Sequence, residues 1–506
     1  MAARIRDRDP NLLSFSLPRP PNGPTLQDVL QRQTLPVERL SVRDHSWEWQ
    51  RNVFAEGRRI DVPWFRQREV EVTNDYMTIS TGIHRLPPEV ETVRLFGLVP
   101  ARGLAELFRP DRALSKTVKT VYSVDAIIIG NRVDLELAFQ KIGLMKQLEK
   151  ITLSRPTVFC MEEQTDQEAF GRESHLRMLD SLFASLNQVE SLKELNVEVV
   201  LFDIGNLSAN SNLVKLCQRN EGCKADMTLT FWGVGFSGPL LSGICDKSSR
   251  VTQLRLHECK LEECADEMAL ALKYNKNTTH VKIKNEDGAL RLSQCAKLVE
   301  CCSLESFECH YVVDRLESID HRAAWYFANA LANVRKLKYL DIGFDCRTNP
   351  LGRDVLEPLF TGIVKNRSLT KARFGFLNPD HNDDIPTTWP KGFEKFDSDV
   401  AQNTVLESFD CYKTHAEDWI RNELPVLSDK GKFWLELNKA GRGELLAHCD
   451  DHNLWLSKLI EHIDDTSICF YLLNCNTQLF FPNGGTQGRK QLALSHKKGK
   501  VPCSKA

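Results

Sequence analysis

The sequence predicts an α/β solenoid, in which helices cover the outer side of a curved parallel sheet. Three observations predict this fold: one clear strand–turn–helix unit between Val251 and Lys284, the return of its strand pattern along most of the chain, and amphipathic helical stripes between the strands. A unit of this size cannot bury its own apolar faces, so neighbouring units must stack to cover them. The 506-residue chain is long enough for one such elongated array.

The clearest unit begins with a short strand, from Val251 onward, that fits the pattern L-x-x-L-x-L-x-x-C-x-L, with Cys259 closing the turn that follows. Residues 262–275 then contain good helix formers and neither Gly nor Pro, and Asn275 ends this helix before the next strand, 279–283. The segment resembles the ribonuclease-inhibitor-like class of leucine-rich repeat proteins. The resemblance implies a curved solenoid with a concave sheet face.

The fourth position of the pattern can be followed through the chain. The intervals are irregular, about 24–37 residues, apart from one of 44 residues between Ile151 and Leu195. Each of these residues has an apolar or small residue two positions later, which is typical of one buried strand face. Stripes that begin at Leu176, Ala324 and Val355 predict the covering helices. The predicted positions are Val93, Ile127, Ile151, Leu195, Met227, Leu254, Val281, Phe307, Leu340, Ala372 and Phe409.

The predicted array spans residues 76–430. Residues 1–75 contain twelve arginines and no lysine, and we expect them to be partly disordered, with Trp47, Trp49 and Trp64 covering the first edge of the array. Residues 431–482 predict a C-terminal cap made of a strand remnant, a Gly-marked turn and two helices. Their "LNKAGRGELL…FYLLNCNTQLF" is similar to the end of uncharacterised leucine-rich repeat proteins of diatoms and related algae. Residues 483–506 predict a disordered basic tail.

Composition excludes several classes of protein. The net charge of -2 argues against a chain built for nucleic acid, so we expect such contact at most through the basic tail. We find neither an apolar run long enough to span a membrane nor a signal-peptide core. The sixteen cysteines lack C-x-x-C spacing and predict buried apolar residues in a reducing compartment. We therefore expect a cytoplasmic protein, with the nucleus as the alternative, that uses no membrane, metal or cofactor.

The predicted binding surface is the concave face, because strand side chains alternate between the core and that face. Its residues are polar throughout, with an acidic start and a basic centre. We predict a non-catalytic scaffold or adaptor that binds another protein there, with an acidic patch of the partner opposite Arg255, Lys282 and Lys284. The predicted site residues are Arg255, His257, His280, Lys282, Lys284, Glu308, His310, Tyr339, Asp341 and Arg373.

Two other functions stay open. "LPVERL" at Leu35–Leu40 resembles the opening of an F-box, which implies a substrate-recognition subunit of a ubiquitin ligase and requires the Trp47–Trp64 segment to bind an adaptor helix. "GVGFSG" at Gly233–Gly238 is a G-x-G-x-x-G after a strand, with Glu258 placed as the ribose acid of a dinucleotide-dependent enzyme. The helix after Pro239 is shorter than a nucleotide-binding crossover usually provides.

A metal site is a weaker hypothesis. His448 and His452 lie four positions apart, and on one helix they would offer a metal two ligands. Asp451 or Asn453 would more naturally cap the helix that follows. We therefore assign no metal-binding residues.

Overall fold

The computed structural model describes two compact units, within Met1–Tyr311 and Val312–Ala506. Each unit repeats strand and helix along the chain, which confirms the predicted α/β solenoid. The described residues are 12–16, 39–43, 69–73 and 91–475, the last range with gaps at 102–103, 106–107, 112–113, 155–156, 161–167, 199–206, 209, 219–224, 285–289, 302, 313–320, 346–352, 378–388, 415–420, 425–426 and 449–450.

In the first unit the strands lie side by side in chain order and pair in parallel, except that β7 pairs with the far half of β5. The strands are β1 Leu12–Ser16, β2 Arg39–Arg43, β3 Glu69–Thr73, β4 Thr92–Pro100, β5 Thr120–Gly130, β6 Lys150–Ser154, β7 Thr157–Cys160, β8 Glu194–Glu198, β9 Met227–Trp232, β10 Val251–His257, β11 His280–Lys284 and β12 Ser306–Val312. The helices are α1 Leu114–Thr117, α2 Arg132–Gly143, α3 Glu168–Leu186, α4 Asn212–Cys217, α5 Gly238–Ile244, α6 Ala265–Tyr274 and α7 Leu292–Val299.

The parallel sheet begins earlier than the predicted array. Strands β1, β2 and β3 lie within residues 1–75 and pair with one another, and β3 pairs with β4. The tryptophans expected to cover the first edge, and the basic tail 483–506, lie outside the described residues.

In the second unit β13, β14 and β15 pair in parallel, and β16 is antiparallel to β15. The strands are β13 Tyr339–Asp345, β14 Lys371–Leu377, β15 Ser408–Thr414 and β16 Arg421–Leu424. The helices are α8 His321–Asn333, α9 Arg353–Lys365, α10 Trp389–Asp399, α11 Asp429–Lys439, α12 Arg442–Ala447, α13 His452–Glu461 and α14 Thr466–Cys475, with a 3-10 turn at Val400–Gln402.

Strand side chains alternate as predicted: Leu254 and Leu256 are buried, whereas Arg255 between them is exposed. Two predicted positions are wrong. Leu254 pairs with Leu229 instead of Met227, and the residue of β5 level with Val93 is Val121 instead of Ile127. Both errors have one cause, because the pattern fits more than one residue in each strand: β9 has apolar residues at alternate positions, and β5 has a run of three isoleucines at 127–129 besides Val121.

A buried asparagine lies at the end of the helix in four of the described repeats, inside the last turn for Asn438 and directly after the helix for the other three. Each donates its side-chain amide to backbone carbonyl groups of the preceding repeat, and three of them also accept backbone N–H groups of their own turn. These carbonyl groups lie at or near helix ends, where they lack partners inside the helix. The residues are Asn275, Asn366, Asn403 and Asn438.

Asn403 shows the arrangement in full. Its Nδ2 donates to the carbonyl oxygens of Val364 and Asn366 at 3.1 and 2.9 Å. Its Oδ1 accepts the backbone N–H groups of Val405 and Leu406 at 2.8 and 2.7 Å. One side chain therefore closes its own turn and ties it to the repeat before, which holds neighbouring strands in register.

The described residues from Asp429 to Cys475 form four helices, α11 to α14. Helix α11 occupies the stretch for which we expected a strand remnant, so that prediction is wrong; Ser428 caps this helix by accepting the N–H of Gly431. The turn marked by glycine is present, because Gly441 has a φ of 91°. Apolar side chains from α11 to α14 form a small core, namely Leu437, Ala440, Leu445, Trp455, Ile468 and Leu472.

The nine cysteines whose side chains the structure describes act as core residues, as predicted. Eight are buried and unbridged, and Cys469 is half-buried. Cys309 and Cys411 occupy strand positions that a leucine would otherwise fill, and they are 1% and 2% exposed. Their role is packing, because a buried thiol behaves as a small apolar group.

Replacing Asn403 with Ala should lower the free energy of unfolding by about 2–3 kcal/mol, because buried carbonyl and N–H groups on two repeats lose their partners. Urea denaturation followed by circular dichroism measures this change. Asn333→Ala is the matched control, since that asparagine also lies at a helix end but is exposed and bonds only to Asn329 of its own helix. Equal losses for the two variants would contradict the proposed role of Asn403.

Candidate binding surface on the open face of the sheet

The open face is the side of the sheet that carries the polar residues between the buried strand positions. In the first unit, the register of β9 to β12 brings the predicted residues of this face together. They form three rows across four neighbouring strands: Thr228–Gln253–His280–Ser306, Thr230–Arg255–Lys282–Glu308, and Trp232–His257–Lys284–His310.

A cavity of ≈ 340 Å³ lies on the open face between these rows. Side chains from three strands, β10, β11 and β12, surround it, and five of the predicted site residues are among them. Lys284 and His310 lie in the next row of the sheet. The lining residues are Gln253, Leu254, Arg255, His257, His280, Val281, Lys282, Ser306 and Glu308.

Charge inside the cavity is partly compensated. Lys282 Nζ lies 2.6 Å from Oε2 of Glu308, and the two side chains are 37% and 22% exposed. Arg255 Nη2 donates to Gln253 Oε1 at 3.1 Å, and this partner is a neutral amide. Lys282 therefore already has an acidic neighbour, and the acidic patch of a partner opposite Arg255, Lys282 and Lys284 stays a prediction.

His257 lies at the cavity wall, where neighbouring positive charges act on its imidazole. Burial, and to a smaller extent the charges of Lys282, Lys284 and Arg255, together lower its pKa to about 4. Its ring stacks on Trp232 with the centroids 5.1 Å apart. The Nδ1 atom is buried and has no hydrogen-bond partner among the described residues. The imidazole is therefore neutral at pH 7, and it carries an unused polar atom.

Acidic residues border the basic centre. On β8, Glu194 Oε1 lies 2.7 Å from Lys150 Nζ and accepts a hydrogen bond from Asn196 Nδ2. Although burial alone raises the pKa of Glu194, the hydrogen bonds from Lys150 and Asn196 and the charge of Arg255 hold it below its ordinary value. Glu194 is therefore a fixed negative charge, and the positive potential falls off on that side.

The other three predicted residues belong to the second unit. Asp341 lies in the row of Arg373 on the open face, as predicted. Its side chain is not exposed there, however, since the residue is only 1% exposed. Tyr339 and Tyr412 donate hydroxyl hydrogen bonds to its two oxygens at 3.2 and 2.8 Å. Arg373 Nη1 lies 3.7 Å from Asp341 Oδ2, and the Arg373 guanidinium lies over the Tyr412 ring. Asp341 therefore holds the surface side chains in place from below.

Sequence reasoning missed the glycine that lies beneath Tyr412. Gly375 on β14 pairs with Tyr412 on β15, and a Cβ at Gly375 would lie 2.6 Å from Cε2 and Cζ of that ring. The missing side chain lets the tyrosine lie across β14 and reach Asp341 on β13. A glycine at an open-face strand position beside an aromatic residue was the available signal.

The Gly233–Gly238 loop has a structural role. The Gly233 N–H, which a dinucleotide site would direct at phosphate, donates to the His257 carbonyl at 2.8 Å. The Lys260 N–H donates to the Val234 carbonyl at 3.2 Å, so the loop stacks on the next repeat. Helix α5 after the loop has seven residues. These contacts give the dinucleotide hypothesis no support.

The paired histidines do not share a helix. His448 follows α12, whereas His452 is the first residue of α13. Asp451 caps α13, as predicted, by accepting the backbone N–H groups of Asn453 and Leu454, both at 3.1 Å. The two-ligand arrangement that the spacing suggested is therefore absent from this described segment.

Comparisons give only distant similarities. No family model matches the chain, and no curated protein matches it. Among solved structures, it is similar to the leiomodin-1 actin-binding site 2, with 16% identity and a TM-score of 0.26 over 36% of this chain and 94% of that chain. It is also similar to human 5T4, the Wnt-activated inhibitory factor 1 or trophoblast glycoprotein, with 12% identity and a TM-score of 0.24 over 74% and 94%. Sequence identities and TM-scores this low give no indication of the activity or the partner of this chain.

Among the described residues, none of the helices is both long and apolar enough to cross a bilayer.

Gly375→Ala should lower the free energy of unfolding by about 2 kcal/mol, because the new methyl group displaces the Tyr412 ring and Asp341 loses a hydrogen-bond donor. In a Tyr412→Ala background the same substitution should cost less than about 1 kcal/mol, since no ring remains to collide with it. Chemical denaturation of the four proteins of this double-mutant cycle measures the coupling. Additive losses would show that the ring does not depend on Gly375.

His257 should titrate with a pKa of about 4, as measured by NMR of its ring Cε1–H with His257→Gln for assignment. Lys284→Met should raise this value, because it removes one of the charges that disfavour imidazolium, whereas Lys273→Met on the exposed side of α6 should not. An unfolded chain binds this proton near pH 6.5, so His257 makes stability fall as pH drops from about 6.5 towards 4. An ordinary pKa for His257 would contradict the described burial.

Proposed function

We propose that this chain is a non-catalytic scaffold or adaptor of the leucine-rich repeat type, with ribonuclease-inhibitor-like repeats, that binds another protein on the open face of its first unit. One observation carries the proposal: a cavity of ≈ 340 Å³ lies on the open face, and five of the ten predicted residues line it. Repeat proteins commonly bind through such extended sheet faces.

The construction of the cavity favours recognition. Its polar side chains stand on three adjacent strands, so the backbone fixes their spacing to that of the sheet. Several are oriented by neighbours: Arg255 by Gln253, Lys282 by Glu308, and His280 by Thr279, whose Oγ1 lies 2.8 Å from its Nδ1. Polar groups held on rigid elements discriminate between partners, because a poorly matched partner leaves them unpaired.

An acidic patch on the partner fits the charges of this surface. Arg255, Lys282 and Lys284 lie on two adjacent strands, and the carboxylate of Glu308 lies beside Lys282. Opposite charge accelerates encounter and suppresses wrong partners. We also propose a cytoplasmic or nuclear location, which the unbridged buried cysteines favour.

The two other functions have less support. The ubiquitin-ligase hypothesis depends on the Trp47–Trp64 segment, which lies outside the described residues and stays a prediction. The dinucleotide hypothesis requires free amide groups in the Gly233–Gly238 loop, yet the Gly233 N–H bonds to His257. The cavity and this loop therefore favour protein binding over nucleotide chemistry.

Reversing two charges tests the proposal. The full chain carrying Arg255→Glu and Lys284→Glu should capture its partner from cell extract at least about tenfold less well, because like charges then face the acidic patch. Quantitative mass spectrometry of captured proteins measures the change. The matched control is Lys273→Glu with Lys276→Glu, which makes the same charge change at exposed positions on α6 and the turn after it. The same captured set for both variants would refute binding at the cavity.

A further inference from the structure

We propose that the cavity binds one carboxylate, on an acidic side chain of the partner protein, between Arg255 and Lys282. The inference rests on the proposed function and names the group that this same site receives. Three features of the open face favour this group: the formal charge of the cavity lining, the row in which the two cations lie, and the donors around the space.

The first feature is formal charge. The lining holds two cations, Arg255 and Lys282, against one carboxylate, that of Glu308. His257 adds no charge at pH 7, because burial and, to a smaller extent, the neighbouring cations lower its pKa to about 4. With its histidines counted as neutral, the lining carries one formal positive charge, which one carboxylate neutralises. A phosphate monoester, with a charge of about −1.5 to −2, would leave a negative excess beside Glu308.

The second feature is the row Arg255–Lys282–Glu308. The register places Arg255 beside Lys282 and Lys282 beside Glu308, on strands about 4.8 Å apart. Lys282 Nζ lies 2.6 Å from Glu308 Oε2, whereas Arg255 donates to the neutral amide of Gln253. Two adjacent cations repel each other, and the cavity lining places its one carboxylate beside Lys282 only. A partner carboxylate between the two cations gives the row alternating charges.

The third feature is the set of donors. Arg255 is exposed beside the cavity, and its planar guanidinium can hold both oxygens of one carboxylate. The Ser306 hydroxyl and the Gln253 amide line the same space. The Nδ1 atom of His257 is buried without a hydrogen-bond partner among the described residues, and it is a donor in one tautomer of the neutral ring. These groups can replace the water that a carboxylate loses on entering the cavity.

An acidic side chain suits this site better than a chain terminus. Terminal carboxylates are typically captured by nests of free backbone N–H groups. The backbones of β10 and β11 pair with a neighbouring strand on both sides, so the donors that face the cavity belong to side chains. The cavity of ≈ 340 Å³ also admits more than a small ion, since one water molecule needs only about 10–15 Å³.

RNA is the rival ligand, because Trp232 is 45% exposed in the row next to Arg255 and can stack a base. Single-stranded nucleic acid, however, is held by grooves that track several successive phosphates. Glu308 on β12 and Glu194 on β8 interrupt such a track within this sheet. The charges of the open face therefore favour one anionic group over a chain of phosphodiesters.

Titration with short peptides tests the ligand chemistry. The full chain is observed through the NMR signals of its histidine Cε1–H groups while a terminally blocked glycine peptide with one central glutamate is added. The signals of His257 and His280 should shift, because both rings line the cavity. The same peptide with glutamine should bind at least about tenfold more weakly, because it lacks the charge-assisted contacts.

Equal binding of the glutamate and glutamine peptides overturns the inference. Tighter binding of the same peptide with phosphoserine also overturns it, since the site then selects a phosphate. Tighter binding of an all-glycine peptide with a free C-terminus overturns it as well, because the site then selects a chain terminus.

Two substitutions should act in opposite directions on the glutamate peptide. Arg255→Gln should weaken binding about tenfold, because it removes a charge-assisted contact, whereas Glu308→Gln should strengthen binding about threefold or more, because Lys282 loses a competing carboxylate. The matched controls Lys273→Gln and Asp266→Asn remove the same charges on α6, outside the cavity lining, and should leave binding unchanged. Unchanged or weaker binding by Glu308→Gln, or equal effects of the Arg255 and Lys273 variants, overturns the inference.

Capture from extract separates this inference from the proposed function. An excess of the glutamate peptide should abolish the part of protein capture that depends on Arg255, whereas the glutamine peptide, phosphatase and ribonuclease should leave it unchanged. Arg255-dependent capture that survives the glutamate peptide, or that phosphatase abolishes, overturns the carboxylate inference and leaves the scaffold function standing. Capture abolished by ribonuclease identifies RNA as the ligand and overturns both, as does the absence of any Arg255-dependent capture.

Discussion

The amide of a buried asparagine at the end of a helix is the contact on which the stacking of these repeats depends. A helix leaves its last carbonyl groups without partners, and burying them unpaired is unfavourable. In the second unit, Asn366, Asn403 and Asn438 occur in successive repeats, and each donates to carbonyl groups of the repeat before it. The carbonyl groups that would be unfavourable to bury without a partner therefore join one repeat to the next.

This stacking determines the binding surface. Because each strand is held in register with its neighbour, side chains far apart in sequence meet on one row, as Arg255, Lys282 and Glu308 do. A one-residue slip would turn all of these side chains into the core. In the second unit the same register lets Tyr412 cross above Gly375 to reach Asp341, which is 71 residues away along the chain. The open face is thus a product of the core contacts beneath it.

The sequence predicted what depends on local pattern, such as the buried Leu254 and Leu256 and the position of α6 before Asn275. It placed most of the cavity residues on one face, since alternation along a strand is a local property. It could not choose between Met227 and Leu229, because both are buried on the same side of β9. The burial of Asp341 and the amide contacts of Asn403 depend on neighbouring repeats, and an asparagine after a helix equally fits a simple helix end.

The pair formed by Lys282 and Glu308 decides how readily the cavity accepts an anion. Both side chains are partly exposed, and ion pairs of that kind contribute about 0–1 kcal/mol. A charge-assisted hydrogen bond from Lys282 to an acidic group contributes about 1.5–3 kcal/mol. An acidic group of the proposed partner that bonds to Lys282 can therefore displace Glu308 with a net gain, whereas Glu308 repels an acidic group that does not engage the lysine. The carboxylate thus raises the selectivity of this surface for groups that reach Lys282.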